Sequence, residues 1–265
     1  MLILTMNSTL VSWFVVGFLA LSALLYWKFS RAADHQKPAP TSHSATTPKT
    51  SASPSPMVTT APNAPVSFGY KLTWLAVRTT DSKAVAQALH LQGLQPCGWE
   101  QGIAGAYEQT VFVTPAVAGW TLVAGRTLPF LPESASVPET EALVSQLSQQ
   151  FGEAQYFSSQ RVIEAHGWVK RLQGKIVRAY AYIGEKGETV VATGPLSAIE
   201  PPTLVNTRSL AAQRDTAYLE RPDLTTPTEE LVMQIAAQWS VDPTTLDTRH
   251  DIAPGFGWQG HYVGK

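Results

Sequence analysis

Residues 161–183 constrain the fold more than any other stretch, because alternate side chains along them separate into two unlike sets. A three-residue loop Leu172-Gln173-Gly174, with Gly174 in the left-handed position, puts Arg171 opposite Lys175 and closes a β-hairpin. One face then pairs Val169 with Val177, Gly167 with Ala179, Ala165 with Ala181 and Ile163 with Ile183. That face is apolar and mostly small, as closely packed helices require. The other pairs Lys170 with Ile176, Trp168 with Arg178, His166 with Tyr180 and Glu164 with Tyr182. Such a hairpin needs a larger antiparallel sheet and an apolar layer over its small face.

The preceding residues supply both. Residues 72–79 form a β-rich run, and Thr80 or Asp81 caps a short helix carrying Ala84, Val85, Ala88 and Leu89. A Gly-rich connection over residues 93–105 leads to two short strands, 110–114 and 120–124, joined as a hairpin. The capping box Ser136-x-x-Glu139, with Pro138 in the first turn, opens a helix with Leu143, Val144, Leu147 and Phe151 that stops at Gly152. Residues 153–157 read as a strand. The order βαββαβ is that of a ferredoxin-like split unit, an α+β fold whose helices cover one face of an antiparallel sheet. Residues 188–192 add a further strand, residues 194–226 show no pattern, and Thr226-Pro227-Thr228-Glu229 opens a last helix with Leu231, Val232, Ile235, Ala236 and Trp239. Asp242 reads as a helix N-cap, and residues 250–265 read as loop.

Upstream, the composition changes abruptly. Residues 1–27 carry no charge, and the apolar run 10–27, at 1.5 Å per residue, approaches the ~30 Å thickness of a bilayer core. A cleaved signal peptide would need a cationic start and a small-x-small exit; the first cation is Lys28, and the run ends in Tyr26-Trp27. Residues 1–31 are therefore expected to hold a single transmembrane helix. Of residues 38–66, 23 of 29 are Pro, Ser, Thr or Ala, with no aromatic side chain and no Gly. Such a stretch buries too little to offset its ordering entropy, so residues 32–67 read as a disordered linker and 68–265 as one globular α+β domain. Lys28, Arg31 and Lys37 follow the span and no Lys or Arg precedes it, which favours a cytoplasmic domain; the alternative is periplasmic, since Pro/Ser/Thr-rich stalks are also usual on exported proteins.

Charge and motifs exclude several chemistries. Four of the 19 basic residues and one of the 20 acidic ones (Asp34) precede the domain, leaving it at 15 against 19. A nucleic-acid partner is disfavoured, because counterion release needs clustered cations. The single Cys97 excludes an intrachain disulfide and a multi-cysteine metal site, and it reads as a small core or loop residue. The Gly-rich connection lacks the Gly-Lys-Ser/Thr ending of a phosphate loop, and no zinc-protease, nucleophile-elbow or EF-hand spacing is present, so neither a cofactor nor a metal is expected. Glu164, His166, Trp168, Arg178, Tyr180 and Tyr182 are the constellation that the hairpin itself assembles. Trp, Tyr and Arg favour a protein-binding face. The alternative is a ligand-binding or hydrolytic site in which Glu164 tunes His166 and Arg178 holds an anion. A plainer outcome is an amphipathic sheet face covered by the last helix.

The segments Gly119-Trp120-Thr121-Leu122-Val123, Phe151-Gly152-Glu153-Ala154-Gln155-Tyr156-Phe157, Arg178-Ala179-Tyr180-Ala181-Tyr182 and Trp239-Ser240-Val241-Asp242-Pro243-Thr244-Thr245 resemble those of a family of uncharacterised bacterial proteins. The resemblance spans roughly residues 70–250. It implies a bacterial source and a single folded unit, and it carries no activity and no catalytic residue. The expectation is a membrane-anchored binding or interaction module, of inhibitor or immunity type, with the bilayer engaged through residues 10–27 and a protein partner on the aromatic hairpin face.

Overall fold

A computed structural model describes residues 63–264 of the chain. The expected membrane span and nearly all of the linker lie outside the described residues. Among those described, no helix is long and apolar enough to cross a membrane. The linker expectation is corrected at its end, since residues 63–67 belong to the domain. Asn63 bridges to Gly255, the Ser67 hydroxyl donates to Asp247 (2.7 Å), and the Phe68 amide donates to the Pro243 carbonyl (3.0 Å).

The fold is α+β with one nine-stranded antiparallel sheet. In chain order the elements are β1 (Leu72–Val77), α1 (Ser82–Ala88), β2 (Gln92–Cys97), α2 (Trp99–Ala106), β3 (Val111–Val113), β4 (Thr121–Ala124), α3 (Val137–Phe151), β5 (Glu153–Gln160), β6 (Ala165–Leu172), β7 (Lys175–Ile183), β8 (Glu188–Thr193), α4 (Leu210–Arg214), α5 (Glu229–Trp239) and β9 (Gly257–His261). The sheet runs β2-β9-β3-β4-β1-β5-β6-β7-β8, with β1 in the middle. Every residue of β1 is buried, so its sequence LTWLAV is an unbroken apolar-rich run rather than an alternation. Its period of two still divides the molecule. Leu72, Trp74 and Ala76 enter one core with α2 and α5; Leu75 and Val77 enter another with α1 and α3.

Helices thus pack on both faces of the sheet, correcting the one-sided expectation. The small face of the β6–β7 hairpin (Ala165, Val169, Ala179, Ala181) lies in the core with Leu143, Val144 and Leu147 of α3, as its composition demands. The aromatic face meets α5 and the irregular stretch 194–226. Trp168 and Tyr180 are too large and apolar to remain in water, and a sheet covered on one side alone would have exposed them.

The hairpin register also differs from the expected one. Gln173 and Gly174 both have positive φ (47° and 78°), the geometry of a two-residue turn whose twist matches its strands, and Leu172 pairs with Lys175. That turn by itself would set the small side chains against the aromatic ones. A bulge at Val177 takes up one residue, so that Lys170 pairs with Arg178, Trp168 with Tyr180, and His166 with Tyr182. The two faces come out as the side chains require, with different partners across each.

Three further elements escaped the sequence reading. Residues 93–105 are no loop but most of β2 and α2, and the tail supplies β9 between β2 and β3. Glycine misled there because it serves close packing. A Cβ on Gly102, inside α2, would collide with the ring of the fully buried Phe112. Gly98, the α2 N-cap, offers no side-chain acceptor, and Asn63 supplies one by accepting from the Trp99 amide (2.6 Å). The last helix starts two residues later than the capping box suggests, with Thr228 as N-cap accepting from the Leu231 amide (3.2 Å).

Helix propensity alone says that Gly102→Ala should stabilise the chain by about 1 kcal/mol. Packing against Phe112 says that it should destabilise by about 1–3 kcal/mol. The expected outcome in urea unfolding is a loss; a gain would mean that α2 and β3 are not in this contact.

Candidate functional site

The six expected site residues fall into two groups at opposite ends of the hairpin. Lys170 faces Arg178 and His166 faces Tyr182, four residues apart along β6, or about 13 Å at strand rise. Glu164, His166 and Arg178 therefore do not form one site. Five of the six side chains are buried, and Glu164 is exposed.

The Arg178 end is sealed. Arg178 Nη2 approaches Glu200 Oε1 at 2.6 Å, Nε donates to both oxygens of the same carboxylate (2.9 and 3.1 Å), and Nη1 reaches the carbonyls of Ala179, Thr193 and Gly194. The Glu200 side chain has no exposure, and it also accepts from the Trp168 indole (3.1 Å) and the Ser197 amide (2.7 Å). Trp168 stacks on Tyr180 with 4.7 Å between centroids, and Arg178 lies over the Tyr180 ring at 5.4 Å. The expected cross-strand pairing of Trp168 with Arg178 is thus replaced by a chain of contacts through Glu200 and Tyr180. The Tyr180 hydroxyl donates to the Val205 carbonyl (2.7 Å), and burial pushes its phenol far above the ordinary tyrosine range. A cavity of about 320 Å³ remains between β7 and residues 194–226, the strap that covers it, lined by Arg178, Tyr180, Leu204 and Tyr218. With its guanidinium committed to Glu200 and to carbonyls, Arg178 serves no free anion. Trp168 and Tyr180, 0% and 1% exposed, cannot touch a partner, so the expected contact surface is interior.

Sequence reasoning missed Glu200. The local signal was Ser197-x-x-Glu200, in which the carboxylate turns back to the Ser197 amide as in a capping box, but without an apolar run behind it.

The other end is open. Glu164 occupies the left-handed region (φ 49°) after a single 3-10 turn over Arg161–Ile163, which turns its side chain off the sheet. His166 is buried, with Nδ1 3.3 Å from the Ser159 hydroxyl on neighbouring β5. Ser159 donates to Glu229 Oε2 (2.9 Å) in the first turn of α5, and Arg161 lies 3.9 Å from Glu229 Oε1. A cavity of about 260 Å³ follows, lined by Arg161, Glu164, His166, Thr228, Glu229 and Glu230 among others. Burial lowers the His166 pKa to about 4, against a weaker opposing pull from Glu230. Tyr182 is buried too, and its phenol is raised by burial and by Glu164.

Ser, His and Glu together suggest a nucleophile, but their order is wrong. A catalytic imidazole stands between serine and acid so that it can take the serine proton. Here serine stands in the middle, gives its proton to the carboxylate, and is 1% exposed. Among the described residues no group of three or more His, Cys, Asp or Glu is placed to hold a metal ion. Cys97 is buried, with its thiol raised to about 11 by desolvation, as the core reading expects. Another cavity, about 520 Å³ between α1, α3 and the tail at Tyr262, contains none of the expected residues. Compared with protein-family models, curated proteins and solved structures, the chain matches none.

Two measurements check this geometry. Arg178→Met leaves the Glu200 charge buried and unpaired and should cost about 3–5 kcal/mol, whereas Arg178→Met with Glu200→Met should cost much less than the sum of the single changes. Additive losses in urea unfolding would remove the pair as the fastener of the strap. For His166 the unfolded chain takes up a proton near pH 6.5 while the folded chain resists until about 4. Stability should therefore be complete above pH 6.5 and fall on acidification by on the order of 3 kcal/mol, a slope that His166→Gln abolishes. An unchanged slope in that variant would assign the acid sensitivity elsewhere.

Proposed function

We propose that this chain is a membrane-anchored binding module that engages a protein partner at the open end of the hairpin, around Glu164 and His166. One observation carries the reading: Arg178, Trp168 and Tyr180 are consumed by internal bonds, while the exposed end lines a cavity with three carboxylates, and its serine is buried and bonded to Glu229. Carboxylates at a rim whose serine hydroxyl is already given to Glu229 suit recognition rather than bond cleavage.

The architecture is consistent with it. Strands β3-β4-β1-β5 lie side by side, connected through α1 and α3, which supports reading residues 72–160 as a ferredoxin-like unit elaborated by β2, α2 and β9. Ahead of it, the apolar run 10–27 serves in this proposal as a single-pass anchor and the Pro/Ser/Thr-rich stretch as a tether, raising the effective concentration of the domain toward membrane partners. In this proposal the domain faces the cytoplasm, the side that the cations after the span favour, with the periplasmic side as the alternative.

The test uses the full chain in its native membrane. It should stay in the pellet after carbonate extraction, a C-terminal GFP fusion should fluoresce, and the corresponding alkaline phosphatase fusion should be inactive. Purification from those membranes should return a stoichiometric partner that Glu164→Lys with Glu230→Lys releases and Lys175→Glu, at the far end of the hairpin, does not. Release by carbonate overturns the anchor, an active phosphatase overturns the orientation, and a partner indifferent to the paired substitution overturns the site.

A further inference from the structure

The protons around His166 can be assigned from its neighbours. A carboxylate only accepts, so the single Ser159 proton lies toward Glu229 at 2.9 Å. The 3.3 Å contact between Ser159 Oγ and His166 Nδ1 then needs its hydrogen from the ring, which makes Nδ1 the protonated nitrogen. Nε2 keeps its lone pair. No protein group among the described residues bonds to it, and His166, 97% buried, lines the cavity with that nitrogen unpartnered.

In the rest of the lining three carboxylates outnumber one cation, Arg161. Glu229 is offset by Arg161 and by the Ser159 proton. Glu164 and Glu230 both line the cavity, and among the described residues neither takes part in an ion pair. Two carboxylates outside any ion pair and one lone pair line about 260 Å³ beside Arg161, whose charge is turned to Glu229. A ligand that satisfies them must bring several N–H donors and positive charge on a narrow stem. A phosphate or carboxylate would meet like charge and a nitrogen with no proton to give, and a neutral apolar group would strand all three acceptors.

We propose that this cavity receives a cationic side chain of the partner polypeptide, an arginine guanidinium or lysine ammonium, bound between the Glu164 and Glu230 carboxylates and the Nε2 lone pair of His166. The proposal rests on the binding-module reading and names what that module recognises. The Ser159–Glu229 pair acts as the positioning element: by holding the Nδ1 proton in place it keeps Nε2 an acceptor. The low pKa of His166 keeps the ring neutral at pH 7, where a charged imidazole would repel the ligand.

The experiment follows the imidazole nitrogens of the full chain, labelled with 15N-histidine in detergent, with His166 assigned from His166→Gln. The free protein should show the Nδ1–H tautomer. Nα-acetyl-arginine amide or Nα-acetyl-lysine amide should shift the Nε2 resonance saturably, and the uncharged isostere Nα-acetyl-citrulline amide should bind roughly tenfold more weakly or not at all. Glu164→Gln with Glu230→Gln, both exposed positions, should weaken the cations by roughly tenfold in a chain that still unfolds cooperatively. An Nε2–H tautomer, an equal response to citrulline amide, or cation affinity untouched by the paired substitution would each overturn the proposal. Loss of the native partner in Glu164→Lys/Glu230→Lys without cation binding condemns the cation site and leaves the module. Cation binding without any membrane partner does the reverse.

Discussion

A guanidinium and a carboxylate removed from water together hold the hairpin face shut. Neither Arg178 nor Glu200 would survive in that place without the other, since an unpaired charge in an apolar interior costs several kcal/mol. Because Glu200 sits in a stretch with little regular structure of its own, the pair decides where that stretch goes. The Trp168 indole and the Ser197 amide complete the carboxylate, and the Val205 carbonyl takes up the Tyr180 hydroxyl a few residues on. Residues 194–207 thereby become a lid over two stacked rings.

That closure separates one side of a strand pair into two environments. At the Arg178 end the guanidinium, the Glu200 carboxylate, the Trp168 indole and the Tyr180 hydroxyl all have internal partners, so their chemistry is spent on structure. At the His166 end the strands run out, α5 begins, and the charged residues meet at a rim that water reaches. The contrast arises within a single hairpin, between positions four residues apart along β6. The open end is where α5 begins at its Thr228 N-cap and where Glu164 takes the left-handed conformation after a 3-10 turn.

Much of the framework was legible from residue pattern. The helices capped at Asp81 and stopped at Gly152, the 111–124 hairpin and the two unlike faces of the 165–183 hairpin follow from local rules of capping and alternation. Residues 93–105 and 257–261 were not legible, because glycine, usually a mark of turns, was there the residue that lets α2 lie against Phe112 and β9 slip between two strands. The register was misjudged for a related reason. A bulge costs one residue and leaves the hydrophobic pattern intact, so pattern cannot reveal it. The Ser159, Glu200 and Glu229 contacts were invisible, since the groups that meet are 7, 22 and 70 residues apart along the chain.

The amino-acid order by itself determined which side chains share a face, where helices begin and end, and that an uncharged apolar run and a Pro/Ser/Thr-rich stretch precede the domain. Those properties depend on neighbours within a turn or two of chain, and propensity and periodicity act at that range. Only the tertiary structure decided which face is covered, which carboxylate meets Arg178, and which nitrogen of His166 meets Ser159. Each of those is a balance between desolvation and a partner brought from a distant part of the chain, and no local rule can weigh a partner that it does not contain.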